Sequence, residues 1–155
     1  MEYRIEPLSL ARAAEAAALE AEYFSDALSP DAFAAFALGT ANHYYIACAP
    51  DERILGGGCI RIAADEAEII SVAVRKEFRR KGVARALMER MIADARLAGA
   101  RSFYLEVRAS NAAAAALYST LGFCSYGVRK NYYTLPREDA ILMAMHSGSE
   151  EIPEC

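Results

Sequence analysis

The sequence lacks the features that would assign it to a membrane or to an exported class. No apolar run approaches the ~18 residues that a membrane-spanning helix needs. The first residues do not follow the basic-then-apolar order of a secretory leader, so nothing argues for export. We therefore expect a cytoplasmic protein without membrane contact. The composition, 55% hydrophobic and 25% charged residues, is typical of a globular domain.

The sequence also has little that could hold a metal. Its four cysteines show no C-x-x-C spacing and have no histidine at ligand spacing, so no metal site is predicted. They are Cys48, Cys59, Cys124 and Cys155. We expect reduced thiols, the first three of them buried as small hydrophobic residues beside apolar stretches. His43 and His146 stand far apart in the sequence, which favours structural or surface roles.

An excess of positive charge is missing as well. The formal net charge of −4 gives no support to direct nucleic-acid binding and slightly favours a basic partner. The cations are nevertheless unevenly placed, because six of them fall within eleven positions. They are Arg75, Lys76, Arg79, Arg80, Lys81 and Arg85. A solvated charged loop is the ordinary explanation of such a run. The residues on either side of the run show whether it could instead bind an anion.

The basic run separates an apolar stretch, 69–74, from a stretch of helical period, 83–98. The first N–H groups of a helix have no internal partner and lie at the positive end of its dipole, so they stabilise an anion. Gly82, directly before the helix, removes the Cβ that would keep a phosphate away. The triphosphate pattern G-x-x-x-x-G-K-[ST] is absent, since Lys81 precedes this glycine. A phosphate site of another kind is predicted.

Length and periodicity predict one α/β domain. We expect helices over 9–24, 30–38, 83–98 and 110–121, a short edge strand over 1–5, and strands over 44–48, 54–62, 67–74, 102–107, 123–128 and 140–145. Strand, helix and strand over 69–107 form a right-handed parallel unit. The expected fold is a mixed sheet of six to seven strands with helices on both faces. Residues 1–146 form this domain, and 147–155 an acidic polar tail.

Two titratable side chains stand out in the second half. Glu106 lies in the middle of an almost wholly apolar strand, where burial penalises its charge unless the carboxylate is paired or functional. A structural ion pair with an arginine and a role in proton transfer are both consistent with it. Tyr118 stands at helical spacing from Ala114 and Leu121, so it could equally belong to the core.

These segments resemble a known enzyme family. Arg79 to Ala84 follows the pattern [Gln or Arg]-x-x-Gly-x-[Gly or Ala] and is similar to the acetyl-coenzyme A loop of the GNAT N-acetyltransferases. Three further segments look like the RimI-type ribosomal-protein alanine N-acetyltransferases: Leu-Glu-Val-Arg-Ala-Ser-Asn at 105–111, Ala-Leu-Tyr with Gly-Phe at 116–123, and 129–133 with 137–140. The likeness covers about 69–145, roughly half of the chain, and it implies the GNAT fold, with a sheet that is split at its centre.

The resemblance implies a role for each matching residue. Glu106 would act as general base and Tyr118 as general acid. The backbone of Val72, Ala73 and Val74 would hold the acetyl and pantetheine part of acetyl-CoA. Its pyrophosphate would lie on Arg80, Lys81, Gly82, Val83, Ala84 and Arg85, with Asn111 as a further contact. The side chain of Arg79 need not touch the ligand, and Tyr132 with Tyr133 either packs in the sheet and loop or borders a peptide groove.

The chemistry suits an N-terminal acceptor. An amine must be neutral to attack a thioester, and an α-amine loses its proton ~2.6 pH units below a lysine amine, or roughly 3.5 kcal/mol more easily. We therefore expect acetyl transfer to a protein N-terminal amine, above all an N-terminal alanine of a ribosomal protein. An acetyltransferase for a free small-molecule amine and a CoA-binding module without turnover stay open as alternatives, as does the oligomeric state.

Overall fold

Seven strands form one mixed sheet in the computed structural model, which describes residues 1–39 and 41–146. The strands are β1 (Arg4–Pro7), β2 (Asn42–Cys48), β3 (Ile54–Ala63), β4 (Glu66–Val74), β5 (Ser102–Arg108), β6 (Cys124–Thr134) and β7 (Arg137–His146). Their order in space is β1-β2-β3-β4-β5-β7-β6. The pair β4 and β5 is parallel, and the other neighbours are antiparallel. The predicted mixed sheet is confirmed.

Helices cover both faces of this sheet. They are α1 (Ala13–Tyr23), α2 (Pro30–Leu38), α3 (Val83–Leu97) and α4 (Ala112–Thr120). Along β2, Tyr44 and Ile46 pack in one cluster with residues of α1 and α2, while Tyr45 packs in the other with residues of α3. Because successive side chains of a strand point to opposite faces, the two clusters lie on opposite sides of the sheet.

The two N-terminal helices follow their sequence signals to different degrees. Ser29 caps α2, since its hydroxyl accepts a hydrogen bond from the Ala32 N–H at 3.3 Å, and Pro30 occupies the first helical position. Ser9 makes no such bond. A 3₁₀ turn, Leu10–Arg12, follows it, and α1 begins only at Ala13. The predicted start at Ser9 is therefore early by one turn.

The buried face of α1 also differs from the expectation. The sequence pattern suggested a stripe through Leu10, Ala14, Ala17, Ala18, Ala21 and Phe24, but Ala14, Ala18 and Ala21 are exposed. The buried residues are Ala13, Ala16, Ala17, Leu19 and Glu20. Alanines occur on every side of this helix, so hydrophobicity alone could not fix its rotation. The consequence is that a glutamate lies inside.

The sheet splits at its centre. β4 pairs with β5 over Glu66–Ile69 and then has no partner on that side. Ile60 of β3 lies opposite Ile69, whereas the neighbouring Cys59 lies opposite Ser71, so Ile70 is an extra, bulged residue. A bulge bends and twists its strand. The two parallel strands consequently separate beyond Ile69, which confirms the central split and opens a gap between them.

The C-terminal hairpin is longer than expected. The stretch 129–139, which we expected between two short strands, lies mostly within β6 and β7. Pairing continues from Arg129 opposite Ala140 to Thr134 opposite Arg137, across an irregular segment around Asn131. A backbone φ of 54° at Asn131 and a hydrogen bond from its N–H to Asp139 at 2.8 Å accommodate the irregularity. The extension of these strands was not predicted, because the segment is polar and exposed and so lacks the alternation of apolar and polar residues.

Three expectations concern the chain as a whole. Cys124 is disulfide-bonded, so a reduced thiol at that position is wrong, whereas Cys48 and Cys59 are free and buried. The predicted tail, 147–155, lies outside the described residues. Among the described residues, no helix is both long enough and apolar enough to cross a membrane.

Candidate active site

The gap between β4 and β5 opens into a cleft with a volume of about 1200 Å³. Its walls include the end of β4, the start of α3, the end of β5, α4, and the connection between α1 and α2. The predicted site residues that line it are Val72, Ala73, Val74, Arg80, Gly82, Val83, Ala84, Arg85, Glu106, Asn111 and Tyr118. Lys81 is exposed beside the cleft and does not line it. The fold thus brings together segments that are far apart in the sequence.

The start of α3 has the geometry of an anion site. Gly82 precedes the helix with a left-handed φ of 83°, and its position provides no side-chain cap for the first-turn N–H groups. A Cβ at this position would meet only the Tyr3 hydroxyl oxygen, at 3.7 Å. The glycine is therefore required by the backbone turn and not by crowding within the protein. The uncapped N–H groups point to an anionic ligand.

The cations around this helix start are not equivalent. Nε of Arg79 donates to the Val74 carbonyl at 3.0 Å, and its guanidinium lies 4.9 Å from the centre of the Tyr23 ring. Arg85 donates to Glu89 at 3.1 Å and to Thr120 at 2.7 Å. Arg79 is thus engaged by contacts within the protein, although it is exposed. Arg80 and Lys81 are exposed and, within the described part of the chain, form no ion pair.

Asn111 stands at the start of α4 and caps it. Its side-chain oxygen accepts a hydrogen bond from the Ala114 N–H at 3.1 Å. With the oxygen engaged in the cap, the amide NH₂ group is the part of this side chain that could donate to a ligand in the cleft. The residue therefore combines a structural function with its position on the cleft wall.

Glu106 is ion-paired and still reaches the cleft. Its Oε1 lies 3.3 Å from Nη1 of Arg129 on β6, and the side chains of the two residues are 25% and 55% exposed. The Tyr132 hydroxyl also donates a hydrogen bond to Glu106, which is the main reason that the Tyr132 pKa is raised to about 12. The structural ion pair considered from the sequence exists. Because the carboxylate remains partly exposed on the cleft wall, it is also available for proton transfer.

Tyr118 approaches the cleft from α4 and is mostly enclosed. Its ring packs edge-to-face on Phe123, with the ring centres 6.2 Å apart. Burial, and secondly the nearby Tyr133, raises the pKa of the Tyr118 hydroxyl to about 12. The hydroxyl therefore keeps its proton throughout the neutral range, as a general acid requires. The core packing considered from the sequence is present, and the residue also lines the cleft.

Several functional candidates were not identified from the sequence. Arg129 lies in one of the segments that resemble the family. Its contact with Glu106, however, depends on the long hairpin of β6 and β7, which was not predicted. Glu20 and Ser71 line the cleft and contact each other across 51 positions of the chain. The sequence did contain an indication that Glu20 faces the interior, because it stands at helical spacing from Ala13, Ala16 and Ala17.

Comparison with known proteins agrees with the site geometry. Residues 10–123 match the model of the Acetyltransferase (GNAT) family. The [ribosomal protein bS18]-alanine N-acetyltransferase of Escherichia coli strain K12 is 47% identical over 87 residues, which are 55% of this chain and 59% of that protein. The enzyme of the same name from Haemophilus ducreyi is 35% identical over 98 residues, which are 61% of this chain and 68% of that protein.

A solved structure extends the comparison to the whole fold. The crystal structure of the ribosomal-protein-S18-alanine N-acetyltransferase from Escherichia coli superposes with a TM-score of 0.84 at 32% identity. The match covers 99% of this chain and 100% of that one. Together with the sequence matches and the split sheet beside an uncapped helix start, this shows that the chain belongs to the GNAT family of acetyltransferases.

Proposed function

We propose that this protein is an acetyl-CoA-dependent N-acetyltransferase that modifies a protein N-terminal α-amine, above all an N-terminal alanine of a ribosomal protein. One observation carries the proposal. Glu106 and Tyr118 line the same cleft, at the place where β4 and β5 separate, and the uncapped start of α3 lines that cleft too. An acid, a base and an anion site thus share a single space.

The residues of the cleft suit acetyl-CoA, which supplies an acetyl group activated as a thioester. The α3 N–H groups beside Gly82, together with Arg80 and Arg85, would hold the pyrophosphate, with Lys81 adding positive charge from outside the cleft. The backbone of Val72, Ala73 and Val74 has no β5 partner, so its N–H and C=O groups can pair with the pantetheine amides. The Asn111 amide would add a contact from α4.

The two titratable residues divide the proton transfers between them. Glu106 would accept the proton that the acceptor amine loses when its nitrogen attacks the thioester carbonyl carbon. Tyr118, whose pKa of about 12 keeps its hydroxyl protonated, would donate to the sulfur when the C–S bond breaks. A backbone N–H group of β4 near the Ile70 bulge would stabilise the negative charge on the acetyl oxygen.

The choice of an N-terminal acceptor has two supports. The relatives with matching sequence are named as alanine N-acetyltransferases of ribosomal protein bS18. A single carboxylate is also a better match for an α-amine than for a lysine amine, because the α-amine is neutralised ~2.6 pH units lower. Tyr132 and Tyr133 line the acceptor side of the cleft beside Glu106, which suits a peptide more than a small amine.

Mass spectrometry of a peptide panel after incubation with acetyl-CoA tests this proposal. The peptides differ only in their first residue, and one carries a blocked N-terminus with an internal lysine. We expect acetylation of the α-amine, fastest for the peptide that begins with alanine. Faster turnover of polyamines or other small amines, or turnover no higher than background with every acceptor, would exclude the proposed substrate class.

A further inference from the structure

Glu20 is a buried carboxylate that the reaction outlined above does not use. It lies in the last turns of α1, is only 6% exposed, and lines the cleft. The Ser71 hydroxyl donates to its Oε1 at 2.6 Å, and the Tyr44 hydroxyl donates to the same oxygen at 3.0 Å. Among the described residues these are its hydrogen-bond donors. The carboxylate therefore joins α1, β2 and β4 at one point.

The backbone around this point leaves room for the arrangement. Tyr44 is 2% exposed, and a Cβ added at Gly57 on β3 would lie 2.4 Å from its hydroxyl oxygen. Gly57 consequently admits the tyrosine ring, and the ring brings its hydroxyl to Glu20. The contact between Tyr44 and Glu20 is thus fixed by the packing of the Tyr44 ring on Gly57 as well as by the hydrogen bond.

Stability alone does not account for this glutamate. Burial raises its pKa and outweighs the opposite effects of the bonds from Ser71 and Tyr44, while the negative charge of Asp26 raises it slightly further. A buried carboxylate is often no more stabilising than an apolar residue of similar size. The neighbouring buried positions of α1 are alanine and leucine, so an apolar residue would suit this stripe. The position of Ser71 suggests another use.

Ser71 directly follows the Ile70 bulge and directly precedes the stretch 72–74, which faces the gap. Beyond Ile69 this part of β4 has no β5 partner, so its position depends on β3 and on side-chain contacts. Tyr23, one turn after Glu20, acts on the following segment, since its hydroxyl accepts from the Lys76 N–H at 3.0 Å and its ring lies under Arg79. The end of α1 thus contacts both β4, at Ser71, and the segment 76–79 that leads to α3.

We propose that Glu20 is a positioning residue for acetyl transfer, which holds Ser71 and thereby fixes the part of β4 that has no β5 partner and faces the donor. The inference rests on the proposed function for its catalytic readout. It adds a residue from α1 to the groups that order the donor side of the cleft. A displacement of the donor by about 1 Å can cost on the order of 100-fold in rate.

The test compares Glu20→Ala, Glu20→Gln and Ser71→Ala with the matched control Glu15→Ala, an exposed glutamate of the same helix that lies away from the cleft. Three quantities are measured for each variant: the melting temperature, the Kd for acetyl-CoA without acceptor, and kcat with the alanine peptide. Because the Kd needs no acceptor, it decides the inference even if that peptide proves not to be a substrate.

We expect Glu20→Ala to raise the Kd and lower kcat by about 10-fold or more each, because the backbone facing the donor loses its anchor. Glu20→Gln should stay within about 3-fold of the wild type in both, since its amide oxygen can accept both hydrogen bonds. Ser71→Ala should change Kd and kcat in the same direction as Glu20→Ala. The double variant, Glu20→Ala with Ser71→Ala, should be little more impaired than either single variant. Glu15→Ala should match the wild type.

Three results would overturn the inference. The first is a folded Glu20→Ala protein with a lower melting temperature but with unchanged Kd and kcat, which would leave only a structural role. The second is a Glu20→Gln variant as impaired as Glu20→Ala, because then charge and not positioning would matter. The third is strict additivity in the double variant. If Glu20→Ala does not fold, Ser71→Ala, which deletes one oxygen atom, gives the decision alone.

Discussion

The proposed donor end of the cleft comes mainly from one continuous stretch, 72–85, whereas the proposed catalytic end collects side chains from α1, β5, α4 and β6. At the proposed donor end, main-chain groups would bind the ligand, through the edge of β4 that β5 leaves free and the uncapped start of α3. At the catalytic end the important groups are side chains, held by one another. Glu106 contacts Arg129, and Tyr118 packs on Phe123.

This difference affects how each end responds to substitution. A site made of backbone N–H groups tolerates side-chain changes and depends on conformation, so glycine is its sensitive position. A site made of side chains depends on each functional group separately and on the residues that orient it. The two ends should therefore separate in kinetics, with changes at the donor end altering Kd for acetyl-CoA and changes at the catalytic end altering kcat.

The largest effect is expected for Glu106→Gln. Removal of a general base lowers a rate by ~10²- to 10⁴-fold, while the Kd for acetyl-CoA should change by less than about 2-fold. Steady-state kinetics with an alanine peptide, together with calorimetric titration of the cofactor, measures both. Glu66→Gln, an exposed substitution at the far end of β4, is the control. An unaltered kcat would remove Glu106 from the reaction.

Tyr118→Phe should come next, with a loss of kcat of roughly 10²-fold. Because the pKa of Tyr118 is raised to about 12, its proton is retained below that value, so wild-type kcat should show no decline from this residue between pH 7 and pH 10.5. Rate profiles of both proteins over this range provide the measurement. A falling limb near pH 10 that is present in the wild type and absent in Tyr118→Phe would contradict the burial argument.

Gly82→Ala examines the donor end against a closely matched control. Gly82 and Gly99 flank the same helix with φ of 83° and 104°, and a Cβ would meet no close neighbour at either position. Both changes to alanine should cost about 1–2 kcal/mol of unfolding free energy, since the left-handed backbone is strained for alanine. Gly82→Ala alone should weaken acetyl-CoA binding. Equal affinities for the two variants would place the anion elsewhere.

The smallest effect is expected for Arg129→Ala. The ion pair with Glu106 is partly exposed, so the unfolding free energy should change by less than about 1 kcal/mol. We expect kcat to fall by roughly 3- to 10-fold, because the carboxylate loses one of the two groups that orient it. The neighbouring Lys130→Ala is the control. A change of Kd for acetyl-CoA with constant kcat would assign Arg129 to the donor end instead.

The sequence predicted the elements whose signals are local. The apolar strand before the basic run, the glycine and the amphipathic α3 all lie within 69–97, and the structure has them there. The predicted starts of α2 and α4 also agree with the structure, since the caps at Ser29 and Asn111 depend on residues three positions apart. The parallel pairing of β4 with β5 also followed from the strand–helix–strand order over 69–107 and from the rule for right-handed crossovers.

Predictions failed where the hydrophobic pattern allowed more than one orientation, and where a contact joins residues far apart in the sequence. The rotation of α1 was wrong because alanines surround the helix, and this hid Glu20 on the buried side. The extension of β6 and β7 was missed because polar residues fill an exposed hairpin, so the contact between Arg129 and Glu106 did not emerge.

What the sequence determined by itself is the donor motif and the family to which it points, because helix starts, glycine turns and strand periodicity are set by neighbours along the chain. Tertiary structure alone decided where β4 leaves β5, which groups face Glu106, and that Glu20 binds Ser71 across 51 positions. The reason is physical. A gap in a sheet and a buried hydrogen bond exist only when distant segments pack against each other.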